Sequence, residues 1–377
     1  QYYGAVRNDG TVLHTQSAQE FYAFVSECDT ICGHNILNFD LHYLHLKGEH
    51  RYIDTLPLSP LLFPRKPYHR LVKDDKLQVD ELNNPVNDAK KARDLFYDEV
   101  EAWKALSAKR KAIYRGLLEN TREFGGFFEW LGKDESQLHN NIAAIIREEF
   151  SGRLCTHANI EAVIKHYPTE LAFALAVIGA DDLQSLTPAW VLRNYPNVNN
   201  VMAFLCNSPC GECEYCKRRL DAHIGLKEFF GYDEFRLFDG EPMQQRAVEA
   251  AIRGESLLTI FPTGGGKSLT FQLPALMGGR NIHGLTVVIS PLQSLMKDQV
   301  DNLAERGISD AVTINGLLDP IERAAAINQV AEGTANLLYI APEMLRSKTI
   351  ERLLLSRNVV RFVIDEAHCF SAWGQDF

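Results

Sequence analysis

The sequence has no run of about 18 apolar residues, the length a membrane-crossing helix needs, so no membrane span is expected. Its first residues, QYYGAVRNDG, lack a basic stretch followed by an apolar one, so no secretory leader is expected either. There is no internal repeat and no low-complexity tract. An excess of positive charge is also missing: 39 Lys and Arg stand against 49 Asp and Glu, a formal net charge of −10 with an isoelectric point near 5.7. A globally basic nucleic-acid binder is therefore not indicated, although local basic patches stay open because distribution matters more than the sum. The eight cysteines lack the even spread of a disulfide framework. Cys206, Cys210, Cys213 and Cys216 fall within eleven residues, while Cys28, Cys32, Cys155 and Cys369 are scattered. That pattern points to a reducing compartment and a metal site.

What is present is ordinary for a globular protein. Hydrophobic residues make up 46% and charged residues 23% of the chain, which excludes wholesale disorder, collagen-like repeats and a disulfide mini-protein. At roughly 150 residues per domain, 377 residues imply two to three domains with a real core. The first ninety or so residues have a mixed α/β pattern, with strands such as Gly4–Val6 and Tyr52–Asp54 among helices such as Ser17–Val25 and Asp40–Leu46. From Ala89 to about Ala203 apolar residues recur at helical spacing, among them Leu95, Phe96, Val100, Trp103, Leu106, Ile113 and Leu117, which predicts a helical spacer. Its basic run, Lys109-Arg110-Lys111, is expected to be a solvated helix face, with a phosphate-contacting patch as the lesser reading. After Phe235 compact apolar runs at Leu257–Phe261, Thr286–Ser290, Leu337–Ala341 and Val359–Asp365 alternate with helical segments such as Leu292–Arg306. Such alternation predicts a parallel sheet covered by helices.

Two motifs in this last region carry chemistry. Pro262-Thr263-Gly264-Gly265-Gly266-Lys267-Ser268 lies between the Leu257–Phe261 run and a helical pattern, Leu269–Met277. A strand, a glycine-rich turn and a helix start in this order form a phosphate-binding loop, whose N–H groups wrap the phosphates. Lys267 would reach the β- and γ-phosphates of a nucleotide and Ser268 would hold Mg²⁺. Phe261 occupies the position where the usual pattern has its first glycine. The second motif, Phe362-Val363-Ile364-Asp365-Glu366-Ala367-His368, is an apolar strand ending in two carboxylates. Asp365 would hold Mg²⁺ through water and Glu366 would polarise the attacking water. Together they predict ATP hydrolysis.

The runs TGGGKSLTFQLPAL, VVISPLQSLMKDQV, LLYIAPEML and FVIDEAHCFSAWGQDF closely resemble the first RecA-like domain of RecQ-type superfamily 2 DNA helicases. The resemblance covers about 140 residues and implies ATP-driven 3′-to-5′ translocation on single-stranded and partly duplex DNA. It implies that Gln244 reads the adenine edge and that Thr263, Gly264, Gly265, Gly266, Lys267 and Ser268 bind the nucleotide. Arg236 is the neighbouring adenine contact of the family, but the LFDGE insertion before Pro242 shifts it. Ser290 and Gln293, with Lys297 nearby, stand where the family first contacts DNA. Phe370, Trp373 and Phe377 match the aromatic loop that couples DNA to hydrolysis, and such rings stack on unpaired bases. Core packing is the alternative for Trp373 and Phe377, and Gln375 stands where the family usually has His. The resemblance also implies DNA repair or defence in a prokaryote-like cytoplasm.

The cluster Cys206-x3-Cys210-x2-Cys213-x2-Cys216 supplies four soft ligands, which suit tetrahedral Zn²⁺ or, alternatively, an Fe–S cluster. CGECEYCKRRL resembles the zinc knuckles of clamp loaders and of RecQ helicases, where the knuckle follows the motor; here it precedes it. The expected role is a structural staple between spacer and motor. Near the N-terminus Gly33-His34-Asn35-Ile36-Leu37-Asn38-Phe39-Asp40 resembles the second motif of DEDD-type 3′–5′ exonucleases, and Asp88 resembles the last. Those enzymes gather four carboxylates about two metal ions, with Asp40 and Asp88 as two of the four here. The first Asp-x-Glu motif is absent, and Asn83 stands where the last motif has its His. An exonuclease-like fold serving as a DNA-binding or docking module is the alternative, and Asp54 is expected to be structural.

The sequence thus predicts an α/β protein with an RNase H-like exonuclease-like domain at 1–100 and a helical spacer at 101–205. A four-cysteine metal knuckle at 206–230 and a RecA-like parallel-sheet P-loop domain at 231–377 follow. The chain is expected to start after the first exonuclease motif and to stop before the second RecA-like domain. Alone, it is expected neither to unwind nor to digest DNA.

Overall fold

The computed structural model describes residues 2–44, 46, 49–65, 84–132, 141–180, 185–262 and 264–369. They form two compact units, Gln1–Glu149 with Ile164–Ala176, and Phe150–Val163 with Val177–Phe377. These units cut across the four segments expected from the sequence: the helical stretch 101–205 is divided between them, and the cysteine knuckle belongs to the unit that holds the phosphate loop.

In the first unit β1 (Tyr3–Val6) pairs antiparallel with β2 (Val12–Thr15), and β3 (Thr30–Gly33) pairs parallel with β4 (Arg51–Asp54). Among the described residues these are separate two-stranded sheets, so the sheet of an RNase H-like exonuclease is not assembled there. The long helix Pro85–Ala105 starts where Asn84 caps it and a proline occupies its first turn, the arrangement that supplies partners for orphan N–H groups. Phe96, Val100 and Trp103 repeat at helical spacing and are buried, with Phe127 and Phe128 meeting Trp103 edge-on at 5.9 and 5.3 Å. In the helix Ala108–Leu118, Lys109 and Arg110 pair with Glu148 and Glu149, so the basic run is a charge-paired surface.

The second unit is built on four strands, β5 (Leu285–Ile289), β6 (Ala311–Ile314), β7 (Leu337–Ile340) and β8 (Val359–Ile364). They form one parallel sheet in the order β6-β7-β5-β8. Helices Leu269–Ile282, Gln293–Ala304, Pro320–Glu332 and Lys348–Leu355 precede or connect the strands, as parallel strands require. Successive strand residues alternate faces. Val288, Leu337 and Tyr339 pack with Phe271, Leu276, Met296 and Leu303 on one side, while Val287, Leu338 and Ile340 pack with Val330, Ile350 and Leu353 on the other. Each fully buried aliphatic side chain here contributes about 1.5–3 kcal/mol relative to exposure. Buried Arg357 bonds the carbonyls of Val330, Ala335 and His283 and thereby ties the starts of β5 and β7 together.

Two expectations are corrected. The sequence pattern does not single out β6. Conversely, Leu257–Phe261 joins no ladder among the described residues, and Leu258 and Ile260 are 78% and 84% exposed. An apolar β-rich run favours extended backbone, but strand pairing needs a neighbour in register, and the run itself does not name one.

Candidate functional site

The carboxyl end of a parallel sheet is where ligands of open α/β folds bind. Here it gathers the end of β5, the end of β8 and the start of the helix Leu269–Ile282. The glycine loop leads into that helix. Gly264 and Gly266 have φ of +74° and +72°, a region that L side chains rarely adopt. Gly266 also has no room, because a Cβ there would stand 2.6 Å from Nε2 of Gln244. Gln244 is 2% exposed, and its side chain is fixed at both ends: Nε2 donates to the Gly266 carbonyl at 3.0 Å and Oε1 accepts from Arg236 N–H at 2.9 Å. The Arg236 guanidinium donates to the Gly264 carbonyl at 2.7 Å. The insertion that was expected to shift Arg236 is absorbed locally. Phe238 and Glu241 bridge across a tight reversal in which Asp239 and Gly240 have φ of +50° and +79°. Thr263 lies outside the described residues.

Lys267 stands at the end of the loop, with its ammonium 3.9 Å from Oε1 of Glu366. Asp365 follows β8, and its N–H donates to the Ile289 carbonyl at 2.9 Å, so the ladder with β5 fixes its position. Glu366 then turns away with φ of +52°, a strained value for a residue with a Cβ, and its N–H donates to Asp365 Oδ1 at 3.0 Å. His368 Nδ1 lies 3.2 Å from the other Glu366 oxygen. Burial raises the Asp365 pKa above the ordinary aspartate value, and the Glu366 charge raises it further, while Lys267 opposes both. Two adjacent carboxylates and the Ser268 hydroxyl are hard oxygen donors of the kind Mg²⁺ takes. A divalent ion would relieve the repulsion between the acids, so the residues fit the Mg²⁺ that an ATP site uses.

The residues expected to meet DNA divide. Gln293 opens the helix Gln293–Ala304 and donates to Glu343 at 3.3 Å, with exposed Lys297 one turn further on. Ser290 is a correction: it is 1% exposed at the end of β5, so its hydroxyl is not presented to a strand of DNA. Phe370, Trp373 and Phe377 lie outside the described residues.

The cysteine expectation is corrected at one ligand. The thiols that converge are Cys155, Cys210, Cys213 and Cys216, with sulfur atoms all within 4.8 Å of one another. Cys206 lies outside this group. It ends the helix Val198–Cys206, is 1% exposed, and its thiol points to the Arg153 carbonyl at 3.4 Å. The sequence carried a signal for this: Val198, Val201, Met202, Leu205 and Cys206 share the buried stripe of one helix. The neighbouring Leu205 carbonyl accepts from Cys155 N–H at 2.8 Å and so brings that remote cysteine to the knuckle.

Among the described residues of the first unit, Asp40 and Asp88 join no group of donors close enough to share a metal ion. Among the described residues the cysteines are the only group of three or more such side chains close enough to share an ion. Asp88 is exposed in the first turn of the helix Pro85–Ala105. Asp40 sits in the turn Ile36–Asp40, where burial raises its pKa to about 6. The described residues therefore assemble no two-metal nuclease centre. Asp54, 1% exposed, is structural: it accepts N–H bonds from Asn35 at 2.7 Å, Leu37 at 3.1 Å and Leu56 at 3.0 Å. Asn35 has φ of +65°, so the carboxylate holds a strained loop as well as capping the helix Thr55–Leu62. Asp54→Ala is expected to destabilise this unit by about 2–4 kcal/mol, combining a lost cap with orphaned buried N–H groups; urea unfolding monitored by circular dichroism measures it.

Residues 241–377 match the DEAD/DEAH box helicase family. The ATP-dependent DNA helicase RecQ of Bacillus subtilis is 46% identical over 152 residues, 40% of this chain and 24% of the relative. RecQ of Haemophilus influenzae is 41% identical over 152 residues, 40% of this chain and 23% of the relative. The ATP-dependent helicase SGS1 of Saccharomyces cerevisiae is 40% identical over 152 residues, 39% of this chain and 10% of the relative. The chain thus spans less than a third of the length of each of these relatives. Among the described residues, no helix is long and apolar enough to cross a membrane.

Proposed function

We propose that this chain carries the nucleotide-binding half of a RecQ-like motor that hydrolyses ATP to move 3′-to-5′ along single-stranded DNA and open partly duplex DNA. The observation that carries the reading is the convergence at one sheet end of Lys267, Asp365 and Glu366 with a glycine loop braced by Gln244 and Arg236. In this reading the loop N–H groups and Lys267 bind the phosphates, and Gln244 and Arg236 link loop geometry to the base. Ser268 and Asp365 hold Mg²⁺, and Glu366 orients the attacking water. Gln293 and Lys297 face the DNA backbone. A role in repair or defence of cytoplasmic DNA follows from the same reading.

For the first unit we propose an exonuclease-like module that engages DNA or a partner rather than cutting. Its support is that Asp54 is committed to backbone N–H groups and that exposed Asp88 belongs, among the described residues, to no group that could hold a metal.

The test uses the full-length protein with Mg²⁺. ATP-dependent opening of a 3′-tailed duplex, with a 5′-tailed duplex left intact, is the expected result, and no ATP-dependent opening of either duplex overturns the motor reading. In the same assay without ATP, end-labelled DNA should keep its length. Shortening that disappears in Asp40→Ala overturns the docking reading.

A further inference from the structure

We infer that Cys155, Cys210, Cys213 and Cys216 bind one Zn²⁺ ion, which braces the helix that opens at the phosphate loop. The donor set is four thiols, the soft ligands of a closed structural zinc site. Cys210 Sγ accepts from Cys213 N–H at 3.4 Å and Cys213 Sγ accepts from Cys216 N–H at 3.4 Å, so the backbone of the C-x2-C-x2-C turn already curls round the sulfurs. The fourth sulfur comes from a segment more than fifty residues earlier, and Cys213 and Cys155 are 3.9 Å apart.

Spacing separates the two metal chemistries that four cysteines allow. Zn–S bonds of about 2.3 Å in a tetrahedron place sulfurs about 3.8 Å apart. A cubane cluster spreads its four thiolates over separate irons, with sulfurs about 6 Å apart. Every sulfur pair here lies within 4.8 Å, which fits one ion and is too tight for the cluster.

The position of the site gives the ion its consequence. Cys213 caps the helix Glu214–Arg219, which contains Cys216. The Arg219 carbonyl at its end accepts from Arg280 at 3.0 Å and Asn281 at 3.3 Å, both in the last turns of the helix Leu269–Ile282. The next helix, Ala222–Phe230, packs against the same element so closely that a Cβ on Gly225 would stand 2.7 Å from the Met277 sulfur. A staple on Cys155 therefore anchors both contacts of the helix whose first residues follow Lys267 and Ser268.

The experiment is elemental analysis of the purified chain together with Cys155→Ser and Cys206→Ser. One zinc per chain, kept in Cys206→Ser and lost in Cys155→Ser with a lower thermal midpoint, is expected. Iron with a broad visible absorbance overturns the inference, as does a Cys155–Cys213 disulfide without metal, or zinc that depends on Cys206 and not on Cys155. If Cys155→Ser does not fold, Co²⁺ substitution of the unaltered chain decides: the charge-transfer and d–d bands of four thiolates support the site, and those of a mixed ligand set overturn it.

Discussion

Lys267→Ala in the full-length protein is expected to abolish DNA unwinding and to lower ATP hydrolysis by at least about 10²–10³-fold, the scale of losing one preorganised charge at a developing anion. In the proposed reading Lys267 meets the β/γ-phosphate charge, and a neutral methyl there leaves that charge to the loop N–H groups and Mg²⁺. The fold should not suffer. The Lys267 side chain is 40% exposed and its ion pair with Glu366, at 3.9 Å, is at the edge of contact, so that pair contributes at most about 1 kcal/mol to stability. A coupled-enzyme ATPase assay beside a thermal melt measures both. An unchanged melt with lost turnover is expected, and retained turnover would place the phosphate site elsewhere.

Glu366→Gln is expected to lower kcat by about 10²–10⁴-fold, the usual range for a positioned general base, while nucleotide binding persists. Glu366 is held between Lys267 and His368 on a backbone that is itself strained at φ +52°. Glutamine keeps the shape and the turn but accepts no proton, so the loss falls on the chemical step. Equilibrium binding of a fluorescent ATP analogue separates this from Lys267→Ala, which loses binding as well. The pH dependence has a definite sign. Burial and the Glu366 charge raise the Asp365 pKa, so as pH falls Asp365 takes up its proton before an ordinary aspartate would. If Asp365 holds Mg²⁺ as proposed, its oxygen donors are then lost earlier, and turnover in the unaltered protein should decline on the acid side at a pH above the ordinary aspartate range. Raised Mg²⁺ competes with the proton and should shift that decline to lower pH; a decline insensitive to Mg²⁺ assigns it to another group.

The sheet and phosphate loop were legible because their signals are contiguous. Glycines, lysine and serine must follow one another for backbone N–H groups to ring a phosphate, and β5, β7 and β8 each announce themselves as short apolar runs. The errors share a cause. Leu257–Phe261 has the composition of a strand, yet Leu258 and Ile260 face solvent, because composition sets backbone shape and leaves pairing to whatever lies alongside. Ser290 follows an apolar strand and precedes a proline, and nothing local says whether its hydroxyl turns inward. Arg236 seemed displaced by five inserted residues, but two residues in the left-handed region fold the insertion back on itself and return the guanidinium to Gly264.

The cysteines draw the boundary most sharply. By itself the sequence determined that thiols at 210, 213 and 216 would share one turn, because a two-residue spacing leaves the backbone little other choice. It also determined the order of loop, lysine and paired carboxylates on which ATP chemistry depends. Only the tertiary structure decided that Cys155 joins the three and Cys206 does not. Cys206 is nearer along the chain, but the helix that contains it turns that face into the core. A backbone bond to Leu205 delivers Cys155 instead, and proximity in space, unlike proximity in sequence, is set by what each helix must bury.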